Sequence, residues 1–341
     1  MGIARLASLS PCAESKRGVE YFLLPVRSIL NHCDSDRVPF SWTINPYRGC
    51  EFGCRYCYAR YTHEYMEVDG SEFERKIYAK RDAAQLIDRD LAAQSPAGDH
   101  IAIGTATDPY QPAERQFGVT RSLLERLALR EDLSLSITTK SDQIVRDLDL
   151  LRLIASRSEL QINITVTTLR NRLAHLLEPR APRPDLRLEA LRRLRDAGLA
   201  AGLFAMPVLP GLTDAEADLD RLAHAARDAG ALWFGASLLF LMPSSQREFL
   251  PFVEKQFPRL AARYRQWYVG RSAPPESYRR EISERIALLR RRYGLASRPV
   301  SRPAPAAGSQ LPLALVASPS DVSAAPASTA RVSCQFASRG G

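Results

Sequence analysis

The sequence predicts an α/β fold: a (β/α) barrel of six strand–helix units, complete or partial. Three observations carry that reading. Short apolar, strand-like segments recur at roughly thirty to forty residues after the first gap, the spacing of βαβ units in a parallel sheet. The stretches between them carry helix start and stop signals. Polar residues stand immediately after the second, third and fourth strands, at the carboxyl ends where parallel α/β folds place their chemistry. Periodicity alone does not separate this barrel from an open doubly wound sheet.

The elements follow in chain order. Residues 1–37 mix polar, Gly and Pro signals without sustained periodicity and read as an N-terminal extension, whose apolar run from Tyr21 to Val26 packs against the main domain. Residues 38–245 hold the barrel, with strands expected at Ser41 to Ile44, Ile101 to Ile103, Leu133 to Ile137, Ile162 to Val166, Leu203 to Met206 and Leu232 to Ala236. Thr120, ahead of Leu123, Leu124 and Leu127 with Val119 as a hydrophobic staple, starts one helix. Asp185 opens another, with Leu188, Leu191 and Leu194 on one stripe and Gly198 as its stop. Thr213-x-x-Glu216 reads as a capping box for a helix that ends at Gly230.

Residues 246–296 read as a helical C-terminal extension. Phe252, Phe257, Leu260, Tyr264 and Trp267 supply one apolar face, followed by an arginine-rich helix from Arg279 to Arg292. Residues 297–341 are dominated by Pro, Ala and Ser, with few aromatics. Such a segment cannot bury enough apolar surface to offset its ordering entropy, so the tail is expected to be disordered.

Composition bounds the function. At 341 residues and 45% hydrophobic, the chain can bury one large core with appendages. It holds no continuous apolar run of the ~18 residues a membrane span needs, and its N-terminus, broken by Arg5 and serines, lacks a signal-peptide apolar region. A cytoplasmic, monomeric enzyme without membrane contact is the expectation. Six cysteines, three of them clustered, do not make a disulfide framework, and Cys12, Cys33 and Cys334 read as ordinary thiols. The net charge is +9, and only five of the 47 basic residues are lysines. An arginine-rich basic surface suits a polyanion such as nucleic acid, although compositional bias produces the same count.

The most informative stretch runs from Asn45 to Arg60. In it Cys50, Cys54 and Cys57 stand at Cys-x3-Cys-x2-Cys spacing, with glycines before the first two and Tyr56 before the third. Three thiolates on one short flexible loop fit three corners of a 4Fe–4S cluster and leave its fourth iron open. At the strand ends stand Thr105, Thr107 and Asp108, then Thr138 to Ser141 including Lys140, then Thr167, Thr168 and Arg170.

The cysteine spacing with its aromatic resembles the defining motif of the radical S-adenosylmethionine (radical SAM) superfamily. Asn45-Pro46-Tyr47-Arg48-Gly49-Cys50, Cys57-Tyr58-Ala59-Arg60, Thr62-His63-Glu64-Tyr65 and the run from Thr107 to Glu114 resemble its spore photoproduct lyase-related branch. This resemblance implies a partial six-stranded TIM-like barrel whose open side admits large substrates. It implies an enzyme in which a 4Fe–4S cluster on Cys50, Cys54 and Cys57 cleaves S-adenosylmethionine reductively to a 5′-deoxyadenosyl radical. Tyr56 is then the residue near the adenine, and Thr105, Thr107 or Asp108 bind the methionyl ammonium. Lys140 pairs with the methionyl carboxylate, and Thr167 or Thr168 meets the ribose. An electron donor such as flavodoxin or ferredoxin is implied as a partner. Glu178-Pro179-Arg180 also echoes the family, without an assigned role. One departure stands out: spore photoproduct lyases use a further barrel cysteine as hydrogen donor, and none lies between Cys57 and Cys334.

Radical chemistry on a nucleic acid or its lesion is the leading expectation, and a protein or metabolite substrate the alternative. A reading of another class joins Cys50, Cys54, Cys57 and His63 into a structural zinc site of a nucleic-acid-binding module.

Overall fold

A computed structural model of the chain describes residues 2–16, 18–35, 38–94 and 98–297. Eleven strands lie among these residues: β1 (Cys12–Lys16), β2 (Val19–Pro25), β3 (Leu30–His32), β4 (Trp42–Ile44), β5 (Tyr47–Arg48), β6 (Lys76–Arg81), β7 (His100–Ile103), β8 (Ser134–Thr139), β9 (Glu159–Thr165), β10 (Ala201–Val208) and β11 (Phe234–Leu238). β4, β7, β8, β9, β10 and β11 follow one another in the main sheet, each parallel to the next, and β3 adds an antiparallel edge beside β4. The sheet therefore starts at β3 and ends at β11. It is the expected α/β partial barrel, with all six predicted strands present.

Along these strands one set of side chains is aliphatic and faces the helices. Ile101 and Ile103, Leu135 and Ile137, and Ile162 and Ile164 are buried with Leu123, Leu127, Leu151, Ile154, Leu191 and Leu194 from the surrounding helices. The alternate set is polar. His100 bonds Ser134 (2.8 Å) and Ser136 (2.9 Å), and Trp233 donates to Asn163 (3.0 Å). This alternation is the period-two pattern of a strand with one face toward helices and the other toward the barrel interior. Gly202 is required by close packing, since a Cβ there would stand 2.4 Å from the Trp233 indole.

Helix ends depart from the sequence expectations in two places. The helix Val119–Leu127 begins earlier than Thr120 predicts, with Gly118 at its N-cap. The Glu114 carboxylate instead accepts the free amides of Thr120 (2.8 Å) and Arg121 (3.1 Å), so a residue from the preceding turn supplies the cap. Thr213 does not form its capping box either: its hydroxyl accepts the Leu209 amide at 2.8 Å, and the helix Glu216–Asp228 starts after Ala215. The stops at Gly198 and Gly230 are as expected, both at positive φ.

Residues before β3 build regular structure that their sequence did not announce. β2 pairs in parallel with β6, β1 pairs with β2 and β5 with β6, making a second, four-stranded sheet. Its strands come from both sides of the cysteine motif, so no local pattern marks it. Residues after β11 divide in two. The helices Pro243–Gln256 and Pro258–Tyr268 form a cluster through Phe249, Tyr264 and Tyr268 with Phe52 and Tyr56 of the cysteine loop. The arginine-rich helix Glu276–Tyr293 buries Ile282, Ile286 and Leu289 in the barrel's own core. Several of its arginines are committed there: Arg290 donates to the Phe234 carbonyl (2.7 Å) and Arg292 pairs with Asp220 (2.6 Å). Ala296 then bridges to Trp233. The tail expected to be disordered, with Cys334, lies outside the described residues apart from Ser297.

Candidate cofactor site

The cysteine loop leaves the carboxyl end of β4, and its path is fixed by backbone bonds. Cys50 N donates to Phe73 O (3.0 Å), Cys57 N to Cys54 O (3.1 Å) and Arg55 N to Leu177 O (2.9 Å). Gly49 is needed twice over: its φ is +79°, and a Cβ would lie 2.6 Å from the Lys76 carbonyl. The Gly49 carbonyl accepts Thr107 Oγ1 (2.6 Å) and Gln111 Nε2 (3.1 Å), and Gln111 Oε1 accepts the Glu51 amide (2.9 Å). The segment after β7 thus props the first cysteine from below. Arg60, fully buried, donates to Cys54 O (3.4 Å) and pairs with Glu74 at 2.6 Å.

The three thiols are free and largely withdrawn from solvent. Burial pushes all three up, Cys54 to about 12, and charge on Cys57 raises Cys50 and Cys54 further. Cations oppose this: Lys140 and Arg187 act on Cys54, and Arg60 on Cys57. A donor set of this kind suits a bound metal group that takes all three as thiolates. Among the described residues no three His, Cys, Asp or Glu side chains converge as ligands of one metal ion. A cubane takes one thiolate per iron, so its ligands need not meet at a point.

His63 is not part of such a site. It is fully buried, its Nε2 lies 2.9 Å from the Lys76 carbonyl, and its ring packs between Phe73 and Tyr78. Its Nδ1 is buried without a partner, and among the described residues no three His, Cys, Asp or Glu side chains, His63 included, converge as ligands of one metal ion.

Tyr56 points from the loop into a buried polar network. Its hydroxyl lies 3.0 Å from Thr167 Oγ1 and donates to Glu178 Oε1, which also accepts Thr167 Oγ1 at 2.7 Å. Arg187, from the helix Pro184–Asp196, stands 2.6 Å from Glu178 Oε2. Burial alone would raise the Glu178 carboxyl, but Arg187 and Lys140 hold it down at about 2. The Lys140 ammonium sits 5.9 Å from the centre of the Tyr56 ring. Burial works against its charge, yet Cys54 and Glu178 keep it above its ordinary value.

Asp108 accepts the Lys140 amide (2.7 Å), Thr139 Oγ1 (2.6 Å) and the Tyr110 amide (2.9 Å), which ties the ends of β7 and β8 together. Burial raises it all the same, and it acts on the Cys50 thiol. Thr105 stands elsewhere: its hydroxyl bonds Asn45 (3.0 Å), and its carbonyl accepts the Tyr58 hydroxyl. The structure thus gathers Tyr56, Lys140 and Thr167 around Cys54. Thr107 is behind the loop, Asp108 lies between Cys50 and Lys140, and Thr105 faces Tyr58. Glu178 and Arg187 are the residues sequence reasoning left without a role. A Glu-Pro-Arg word and an arginine among helix leucines carry no sign that they meet.

A model of the radical SAM superfamily matches residues 44–223, more than half of the chain. The protein belongs to the radical SAM superfamily. This is a family of enzymes, and the match begins at Ile44, where the cysteine loop leaves the sheet. The chain is 34% identical over 290 residues to an uncharacterised protein of Mycobacterium tuberculosis, covering 84% of each. It is 30% identical over 175 residues to an uncharacterised protein of Methanocaldococcus jannaschii, covering 51% of this chain and 63% of that one. Its fold matches spore photoproduct lyase, solved with bound AdoMet and a dinucleoside spore photoproduct. That match has a TM-score of 0.60 at 15% identity over 79% of this chain and 78% of the other. Among the described residues no helix is long and apolar enough to cross a membrane.

Proposed function

We propose that this radical SAM enzyme carries a 4Fe–4S cluster on Cys50, Cys54 and Cys57 and uses it to cleave S-adenosylmethionine reductively. The observation that carries the reading is the placement of three free thiols, Cys54 buried and Cys50 and Cys57 half-buried, on one loop against Tyr56, Thr167, Glu178 and Lys140. Held by Cys50, Cys54 and Cys57, such a cluster would supply the single electron that reductive cleavage of the S–C5′ bond of S-adenosylmethionine needs.

The chain's own residues bind and shield. Lys140, charged and half-buried, suits the methionyl carboxylate, and Asp108 suits the ammonium. Tyr56 and Thr167 present a ring and a hydroxyl to the adenosine. Thr107 acts by holding the Gly49 carbonyl, and Thr105 by holding Asn45. The withdrawal of the thiols from solvent would limit water at the cluster and favour a low potential. An external one-electron donor of the flavodoxin or ferredoxin kind completes the cycle.

A nucleic acid or a lesion in it is the substrate class we favour, supported by the basic, arginine-rich composition and by the dinucleoside held by the matching lyase. The test is anaerobic reconstitution with iron and sulfide, reduction, and quantification of 5′-deoxyadenosine in the wild type and in Cys54→Ala. Product in the wild type alone supports the reading. A cluster spectrum and product that both survive in Cys54→Ala would overturn the ligand assignment.

A further inference from the structure

Two cations lie side by side in the second sheet with no acid between them. In the antiparallel pairing of β5 and β6, Tyr47 is opposite Ala79 and Arg48 opposite Tyr78. Arg48 and Lys80 therefore leave the same face on a diagonal, a separation that long side chains bridge. Lys80 is only 5% exposed. Burial and the neighbouring Arg48 pull its ammonium down to about 7. Arg48 Nη1 donates to the Thr62 carbonyl (3.1 Å), while its Nε is buried without a partner. Among the described residues no carboxylate pairs with either side chain. Arg48 is half-buried and Lys80 buried, so a cationic pair here without a counter-charge is costly, and an anion bound beside it would offset the cost and favour the protonated Lys80.

The cations that act on the three thiols include Lys140, Arg187 and Arg60, and neither Arg48 nor Lys80 is among them. What borders the pair is aromatic. Tyr61, whose hydroxyl acts on Arg48, stacks on Tyr58 (6.4 Å between centroids) and meets Tyr65 edge-on (5.4 Å). Tyr58 is 42% exposed and Tyr65 62% exposed. The row begins at the residue after Cys57 and runs away from the cysteine loop. Cations that grip a phosphate, next to ring faces that stack bases, are the two parts of a single-strand nucleic-acid site.

We propose that Arg48 and Lys80 hold a backbone phosphate of a single-stranded or locally unpaired nucleic acid whose bases stack along Tyr58, Tyr61 and Tyr65. The inference rests on the function proposed above and adds the substrate's docking site.

The test uses the full chain and a fluorescein-labelled single-stranded DNA 12-mer, with affinity read by anisotropy between about 50 and 200 mM salt. Lys80→Met should weaken binding about tenfold at the low end and make the salt slope shallower by about 0.7, the loss of one phosphate contact. Lys80→Arg should restore that slope, which separates charge from folding. Tyr65→Ala should weaken binding with the slope unchanged. Equal salt slopes in the wild type and Lys80→Met would overturn the site. Wild-type enzyme that forms 5′-deoxyadenosine yet binds no 12-mer would also overturn it and leave the radical chemistry standing. Normal 12-mer binding without any cluster would instead sink the function proposed above.

Discussion

Glu178 Oε2 and Arg187 Nη2 stand 2.6 Å apart, each side chain only 1% exposed, directly behind the tyrosine that precedes the last cysteine of the motif. The pair fixes where Tyr56 and Thr167 can place their hydroxyls, and so shapes the wall that the cysteine loop closes on. Replacing Arg187 by Met leaves a buried carboxylate with Lys140 as its remaining cation. Such a break costs about 3–5 kcal/mol. Urea melts of Arg187→Met should show a loss in that range. Glu178→Gln combined with Arg187→Met should recover part of it, because the stranded charge is gone. Strict additivity of the two changes would mean that the pair is not coupled.

His63 predicts a pH dependence. Buried between Phe73 and Tyr78, it is pushed down to about 4, whereas an unfolded histidine titrates near 6.5. As pH falls below about 6.5 the unfolded chain takes up a proton that the folded chain refuses. Stability therefore declines between roughly pH 6.5 and 4, by about 1–3 kcal/mol from this residue. His63→Phe should flatten that interval in denaturant melts at stepped pH. An identical decline in the variant would place its origin elsewhere.

Gly49 admits no side chain. Alanine there adopts a disfavoured positive φ and sets a Cβ 2.6 Å from one backbone carbonyl and 2.8 Å from another. Gly49→Ala should cost upwards of about 2 kcal/mol and lower the iron bound per chain after reconstitution. Full iron loading at unchanged stability would show that the loop has room the packing denies.

Lys140 separates binding from folding. Among the described residues its ammonium makes no ion pair, but it faces Tyr56 and lies within charge reach of Cys54. Lys140→Met should retain the cluster spectrum and cost less in melts than Arg187→Met, because Arg187 still pairs with Glu178, while weakening S-adenosylmethionine at least about tenfold by titration calorimetry. Affinity equal to the wild type would move the carboxylate to another cation.

The barrel was legible because its signals are local. Ile101 to Ile103 and Ile162 to Ile164 alternate apolar and other residues over a few positions, and Gly198 and Gly230 stop helices from where they stand. The same locality misled at Thr120 and Thr213. There a tertiary neighbour, Glu114, and a different amide, that of Leu209, won the hydrogen bonds that spacing assigned to caps.

The second sheet could not be read at all. β2 and β6 are some fifty residues apart, and each becomes a strand by meeting the other.

By itself the sequence determined the parallel α/β architecture, the cysteine loop and the superfamily. Each is written in residues close enough along the chain to constrain one another. Only the tertiary structure decided that His63 belongs to the core, that Glu178 and Arg187 back Tyr56, and that Arg48 and Lys80 share a face without a counter-charge. These are contacts between distant segments. Burial and pairing set their energies, and neither quantity exists until the sheets have formed.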